Sequence, residues 1–87
     1  MEDESIYDGL RDKLNESEWP SVYMFKFIAP QDKAEELTYI FNDLEYTFKP
    51  SRTGKYISFT STVLMDSPES IIEIYIKASR IEGVIAL

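Results

Sequence analysis

The sequence predicts an α+β domain in which two helices pack on one face of an antiparallel sheet. Stretches 21–29 and 55–65 alternate apolar and polar residues, as half-buried strands do. Stretches 32–44 and 67–80 repeat apolar residues at helical spacing. Since the chain has 87 residues, it has room for one hydrophobic core.

The two long strands each show an apolar face and a mixed face. The apolar faces consist of Tyr23, Phe25 and Phe27 in the first strand and of Ile57, Phe59, Val63 and Met65 in the third. The opposite faces consist of Val22, Met24, Lys26 and Ile28 and of Tyr56, Ser58, Thr60 and Thr62. A short second strand is expected over 45–49, followed by Pro50, and a final strand over 84–87. Proline is tolerated at an edge and not in a central strand, so the second strand is expected at an edge.

The helices carry recognisable start signals. Asp32 and Glu35 have the spacing of a capping box, and we expect a helix over 32–44. Ser67 followed by Pro68 places an N-cap serine before a first-turn proline. With right-handed crossovers, the order β-α-β-β-α-β gives a ferredoxin-like split βαβ sandwich: a four-stranded antiparallel sheet, strand order 4-1-3-2, with two helices on one face.

Residues 1–18 form an acidic N-terminal arm, and residues 19–87 form the single domain. Ile6, Leu10 and Leu14 predict a short helix in the arm. Two interpretations stay open: a mobile lead-in, or a helix docked on the domain with Trp19 as its anchor.

Composition limits the chemistry available. The chain has no cysteine and no histidine, which excludes a thiolate nucleophile and the commonest general base and metal ligand. We therefore expect no catalytic residues, no metal site and no cofactor. The net charge of −7 argues against nucleic acid and anionic membranes as partners. The acidic start and the lack of a long apolar run favour a cytoplasmic, bacterial-type location.

The run from Lys49 to Tyr56, Lys-Pro-Ser-Arg-Thr-Gly-Lys-Tyr, resembles the signature of the YbeD-like family of small bacterial domains of unknown function. The resemblance covers 45–87 well and 19–44 by pattern. It implies a ferredoxin-like fold close to the ACT-type domains that bind ligands and regulate amino-acid metabolism. ACT-type sites use a glycine after the first strand, whereas this chain has Ala29-Pro30-Gln31 there.

Three surfaces are candidate sites. The first is a hairpin with two interpretations: an anion site formed by its glycine turn and basic side chains, or a solvated turn that protects an edge strand. It comprises Lys49, Ser51, Arg52, Thr53, Gly54, Lys55 and Tyr56. The second is the open sheet face, which could receive a partner or small ligand, or be an ordinary wet surface. It comprises Met24, Lys26, Thr47, Ser58, Thr60 and Thr62.

The third is the uncharged last strand, with Val84, Ile85 and Leu87 as a self-association edge. A second copy of the chain, giving a homodimer, or the N-terminal helix is expected to cover it. Together these features favour a non-enzymatic regulatory or binding module, acting through self-association and a small ligand or protein partner. The alternative is an adaptor whose acidic arm docks a basic partner.

Overall fold

The computed structural model describes residues 4–87 and shows a mixed α+β architecture with three helices and one four-stranded antiparallel sheet. The elements are α1 (Asp8–Leu14), β1 (Ser21–Pro30), α2 (Ala34–Ile40), β2 (Thr47–Pro50), β3 (Tyr56–Met65), α3 (Pro68–Ser79) and β4 (Ile85–Ala86). Short 3₁₀ turns, Glu4–Tyr7 and Gln31–Lys33, precede α1 and α2. Among the described helices, none combines the length and apolar character needed to cross a membrane.

The strands lie in the order β2-β3-β1-β4, and every neighbouring pair is antiparallel. Counted from the β4 edge, the same strand order is 4-1-3-2. β2 is therefore an edge strand, and Pro50 is its last residue. Pairing between β1 and β3 runs from Ser21 opposite Met65 to Pro30 opposite Tyr56, so these two strands form the centre of the sheet.

The core lies between the helices and one face of the sheet. Phe25 and Phe27 of β1 are buried, and their rings contact Phe41 after α2 and Tyr75 on α3. Both helices therefore cover the same face, and the alternation predicted for the two long strands is confirmed by their burial. Ser61 also points into this layer, where its hydroxyl donates to the Glu45 carbonyl at 2.6 Å.

Two helix predictions had different outcomes. The start of α3 is confirmed, since Ser67 caps the helix and exchanges hydrogen bonds with Ser70. The capping box predicted at Asp32 and Glu35 is wrong, because Asp32 lies inside a 3₁₀ turn and α2 begins after Lys33 without a side-chain cap. The helix also ends at Ile40, earlier than expected.

The error at the end of α2 has a local cause. The N–H groups of Phe41 and Leu44 donate to carbonyls three residues earlier, so the backbone continues in a tight turn after the helix stops. The turn keeps Phe41 buried, so apolar residues continue at helical spacing after the helix has ended. The spacing therefore predicts a longer helix than the one observed. β2, which was predicted to start at residue 45, starts at Thr47. The carbonyl of Glu45 accepts a hydrogen bond from the Ser61 hydroxyl.

The arm is docked where the structure describes it. Leu14 is buried, the Trp19 indole Nε1 donates to its carbonyl at 3.0 Å, and Arg11 binds Glu69 of α3 through Nε at 3.0 Å. The helix predicted from Ile6, Leu10 and Leu14 begins only at Asp8. Ile6 lies in the 3₁₀ turn before it and is 74% exposed, while Tyr7 packs on the core. Residues 1–3 of the predicted arm lie outside the described residues.

Candidate functional site

The 49–56 hairpin is a closed turn built around Ser51. The Ser51 N–H donates to the Tyr56 carbonyl at 2.7 Å, and the Tyr56 N–H donates to the Ser51 hydroxyl at 3.2 Å. The Gly54 N–H donates to the Ser51 carbonyl, and Gly54 adopts a φ of 76°. These bonds occupy three of the backbone donors that an anion would need, so the turn chemistry explains the serine and the glycine without a ligand.

The hairpin is also fixed to the rest of the domain. The Lys55 carbonyl accepts from the Gln31 N–H at 2.8 Å, which joins the hairpin to the loop after β1. Lys49 and Tyr56 line a shallow depression of about 150 Å³ together with Ile28 and Ser58 of the open sheet face. The first two predicted sites are therefore one continuous surface.

The open sheet face is the side of the sheet opposite α2 and α3. Strand pairing places its residues in cross-strand rows. From one end of the strands to the other, the rows are Val22 with Leu64; Met24 with Thr62; Lys26 with Thr60 and Thr47; Ile28 with Ser58, Lys49 and Ile85; and Pro30 with Tyr56. All six predicted open-face residues lie on this surface.

The apolar part of this face was predicted only in fragments: Met24 as an open-face residue, Ile85 and Leu87 as an edge, and Leu64 not at all. Val22 is 67% exposed and Leu64 is 62% exposed, and they are direct cross-strand neighbours next to Met24. Ile85 and Leu87 are likewise exposed along the β4 side of β1. Alternation alone gave the face of each residue, but only the register shows that these residues form one apolar band.

The charges that the four strands place on this face are all of one sign. Lys26 and Lys49 are the charged residues within the four strands, and both lie on the open face. Among the described residues, no carboxylate forms an ion pair with either lysine. Arg52 and Lys55 follow at the hairpin end, while Glu45 lies near the β2 edge, where it lines a groove with Thr60 and Thr62.

The last strand offers a shorter edge than the sequence predicted. β4 pairs with β1 at two positions, Phe27 with Ala86 and Ile28 with Ile85, and the Leu87 N–H donates inward to the Lys26 carbonyl. Because alternate residues of an edge strand point outward, Ala86 is the residue of β4 with outward N–H and C=O groups. Tyr7 of the arm shares a small cavity with Val84 and Ala86, so the N-terminal segment lies against β4 on its core side.

A larger groove lies between α2 and α3, with a volume of about 620 Å³. Asp32, Glu35 and Glu36 line one wall, and Lys77 and Arg80 line the other. Acidic side chains at a helix start and basic ones at a helix end stabilise the helix dipoles, so these charges have a structural explanation. Tyr39, which also lines the groove, is 80% exposed and has no such explanation.

One titratable group is strongly perturbed. Burial raises the pKa of Tyr75 well above its usual value, and a hydrogen bond of 2.8 Å between its hydroxyl and that of Tyr23 adds to the effect. The pair lies inside the aromatic layer between β1 and α3. A phenol held neutral in this way is a packing element with a satisfied polar end. Among residues 4–87, no group of three or more carboxylates is placed to hold a metal ion.

The fold and these surfaces define a small α+β domain with one covered and one open sheet face. A family model described as "Protein of unknown function (DUF493)" matches residues 15–87, and the chain therefore belongs to this family. No curated protein and no solved structure matched the chain.

Proposed function

We propose that this protein is a non-enzymatic binding module that docks a protein partner on its open sheet face. The observation that carries the proposal is the band formed by Val22, Leu64, Met24, Ile85 and Leu87 on a face that no described element covers. Exposed apolar side chains that adjoin one another, surrounded by polar ones, are typical of protein interaction surfaces.

Two further arguments support a binding role. The chain lacks histidine and cysteine, and Tyr75, whose phenol is held neutral, is used for packing. The strand and helix order and the YbeD-like resemblance of 49–56 support a ferredoxin-like fold related to the regulatory ACT-type domains. Folds of this kind host many unrelated functions, each of which depends on the particular site that a protein presents. The fold itself therefore does not identify the partner.

Photocrosslinking tests this proposal. A benzophenone amino acid is placed at Met24, and the matched control carries the same probe at the exposed Glu73 on α3. We expect a discrete crosslinked product from the Met24 probe in cells, abolished when Leu64→Asp is added, and no such product from the Glu73 probe. Identical products from both positions, or none from Met24 in a folded protein, would overturn the proposal.

A small regulatory ligand is the second candidate, and the α2–α3 groove favours it. Its opposed acidic and basic walls and the exposed ring of Tyr39 form a concave surface of suitable size. A thermal-shift screen of amino acids and phosphorylated metabolites tests this candidate. A ligand that stabilises the wild type and not Tyr39→Ala supports it, whereas equal shifts in both proteins exclude this groove as the site.

The acidic arm remains a third proposal, as a docking element for a basic partner. Asp12, Glu16 and Glu18 are exposed, which supports it. Replacing these three by Asn or Gln keeps the docked helix and removes the charge. Weaker binding of a polylysine probe by this variant than by the wild type supports the arm, and unchanged binding would exclude it.

A further inference from the structure

The charges of the open sheet face point to the chemistry of its partner. We propose that the face receives an acidic protein segment that also carries apolar side chains. This inference rests on the proposed docking function and adds the class of partner.

The first argument is charge segregation. The chain has 16 acidic and 9 basic residues, yet the strands contain Lys26 and Lys49 and no acidic residue. Apart from Glu45 at the β2 edge, the surface around these two lysines is therefore opposite in sign to the chain as a whole, and such a surface selects partners by electrostatic complementarity. The excess negative charge elsewhere disfavours polyanions that contact more than this face, such as nucleic acid or an anionic membrane.

The second argument is the position of Lys26. Met24 and Ile28 flank it on the same face of β1, and Leu87 lies beside it on the β4 side. No described carboxylate pairs with it. On the β3 side its neighbour is Thr60. The apolar side chains along β1 and on the β4 side favour a carboxylate that arrives with an apolar partner surface, since desolvation strengthens the pair.

The third argument concerns geometry. Lys26 is in register with Thr60 and Thr47, and Lys49 is one row further along and across β3. Strand spacing and rise place their Cα atoms about 12 Å apart. Two carboxylates four residues apart in an extended segment have a similar separation. A second copy would present the same two lysines and no strand carboxylate on this face, so its strands offer no complementary charge.

The test uses a random copolymer of glutamate and tyrosine as the probe, with a lysine–tyrosine copolymer and a single-stranded oligonucleotide as comparisons. We expect the glutamate–tyrosine copolymer to bind most tightly and to weaken with salt. We expect about tenfold weaker binding by the double variant K26E/K49E. The matched control K13E/K33E changes the net charge equally, at residues of α1 and of the 3₁₀ turn before α2, and is expected to bind like the wild type. Circular dichroism checks that both variants are folded.

The possible outcomes separate the hypotheses. Equal loss in both double variants, or tighter binding of either comparison polymer, would overturn the acidic-partner inference. A dimer in sedimentation analysis that Met24→Asp dissociates would overturn it too, since the occupant would then be a second copy. If Met24 still yields its crosslinked product while the copolymer does not bind, the docking function stands and only the partner class fails.

Discussion

Gly83 lies so close to Pro30 that a Cβ atom built on the glycine would stand 2.7 Å from the Cγ atom of the proline ring. The contact joins the loop before β4 to the end of β1, and Gly83 also has a φ of 83°. Both the backbone angle and the lack of space therefore require glycine there.

Gly83→Ala should lower the free energy of unfolding by about 2–4 kcal/mol, because it adds steric overlap to an unfavourable φ. Gly54→Ala is the matched control: its φ is 76°, but nothing lies within 4 Å of the added Cβ. The control should cost about 1–2 kcal/mol. Urea unfolding measures both, and equal losses would show that the Pro30 contact has no energetic effect.

Ser67→Ala should destabilise the domain by about 1 kcal/mol, since it removes the side-chain acceptor for the Ser70 N–H at the start of α3. Ser67→Asp keeps an acceptor at the N-cap and should retain most of the stability. Chemical denaturation compares the three proteins. If the alanine and aspartate variants lose the same amount, the cap does not stabilise α3.

Stability should fall at alkaline pH because of Tyr75. The folded state raises the pKa of this phenol above its unfolded value. The neutral phenol therefore contributes its full stabilisation of the folded state below about pH 10. As the pH rises above that value, the unfolded chain loses the proton first, and the contribution is progressively lost. Tyr75→Phe removes this titration and should give a flatter profile of thermal midpoint between pH 9 and about pH 12. Parallel profiles for the two proteins would contradict the assignment.

Arg11→Ala should loosen the arm without unfolding the domain. The ion pair with Glu69 is partly exposed, so its loss should cost less than about 1 kcal/mol globally. Hydrogen exchange in 8–14 should accelerate, and the fluorescence of Trp19, the single tryptophan, should shift to the red. Lys77→Ala removes a comparable ion pair outside the arm and should leave both signals unchanged. Unaltered exchange in Arg11→Ala would mean that Leu14 and Trp19 hold the arm without the ion pair.

Ser61→Ala tests a buried polar contact inside the sheet layer. The substitution leaves the Glu45 carbonyl without its side-chain donor, and we expect a loss of about 1–2 kcal/mol. Thr60→Ala, one residue earlier and on the open face, is the control and should have a smaller effect. A larger loss for Thr60→Ala than for Ser61→Ala would contradict the role given to this contact.

The sequence by itself determined the order of elements, the covered face of each long strand and the start of α3. These properties depend on local periodicity and capping, since an alternating strand exposes alternate residues to different faces and a serine before a proline favours one helix start. The edge position of β2 followed from Pro50, because proline lacks a backbone donor.

Only the tertiary structure decided how separate strands combine into a surface. Val22 and Leu64 are more than forty residues apart in sequence, and their contact depends on the register between β1 and β3. The same register shows that Lys26 and Lys49 share a face with no strand carboxylate. The alternating pattern does not fix the register between β1 and β3, since no turn joins these two strands and their pairing depends on how the core packs. The band of apolar residues and its lysines, which carry both proposals, could therefore be recognised only in the folded sheet.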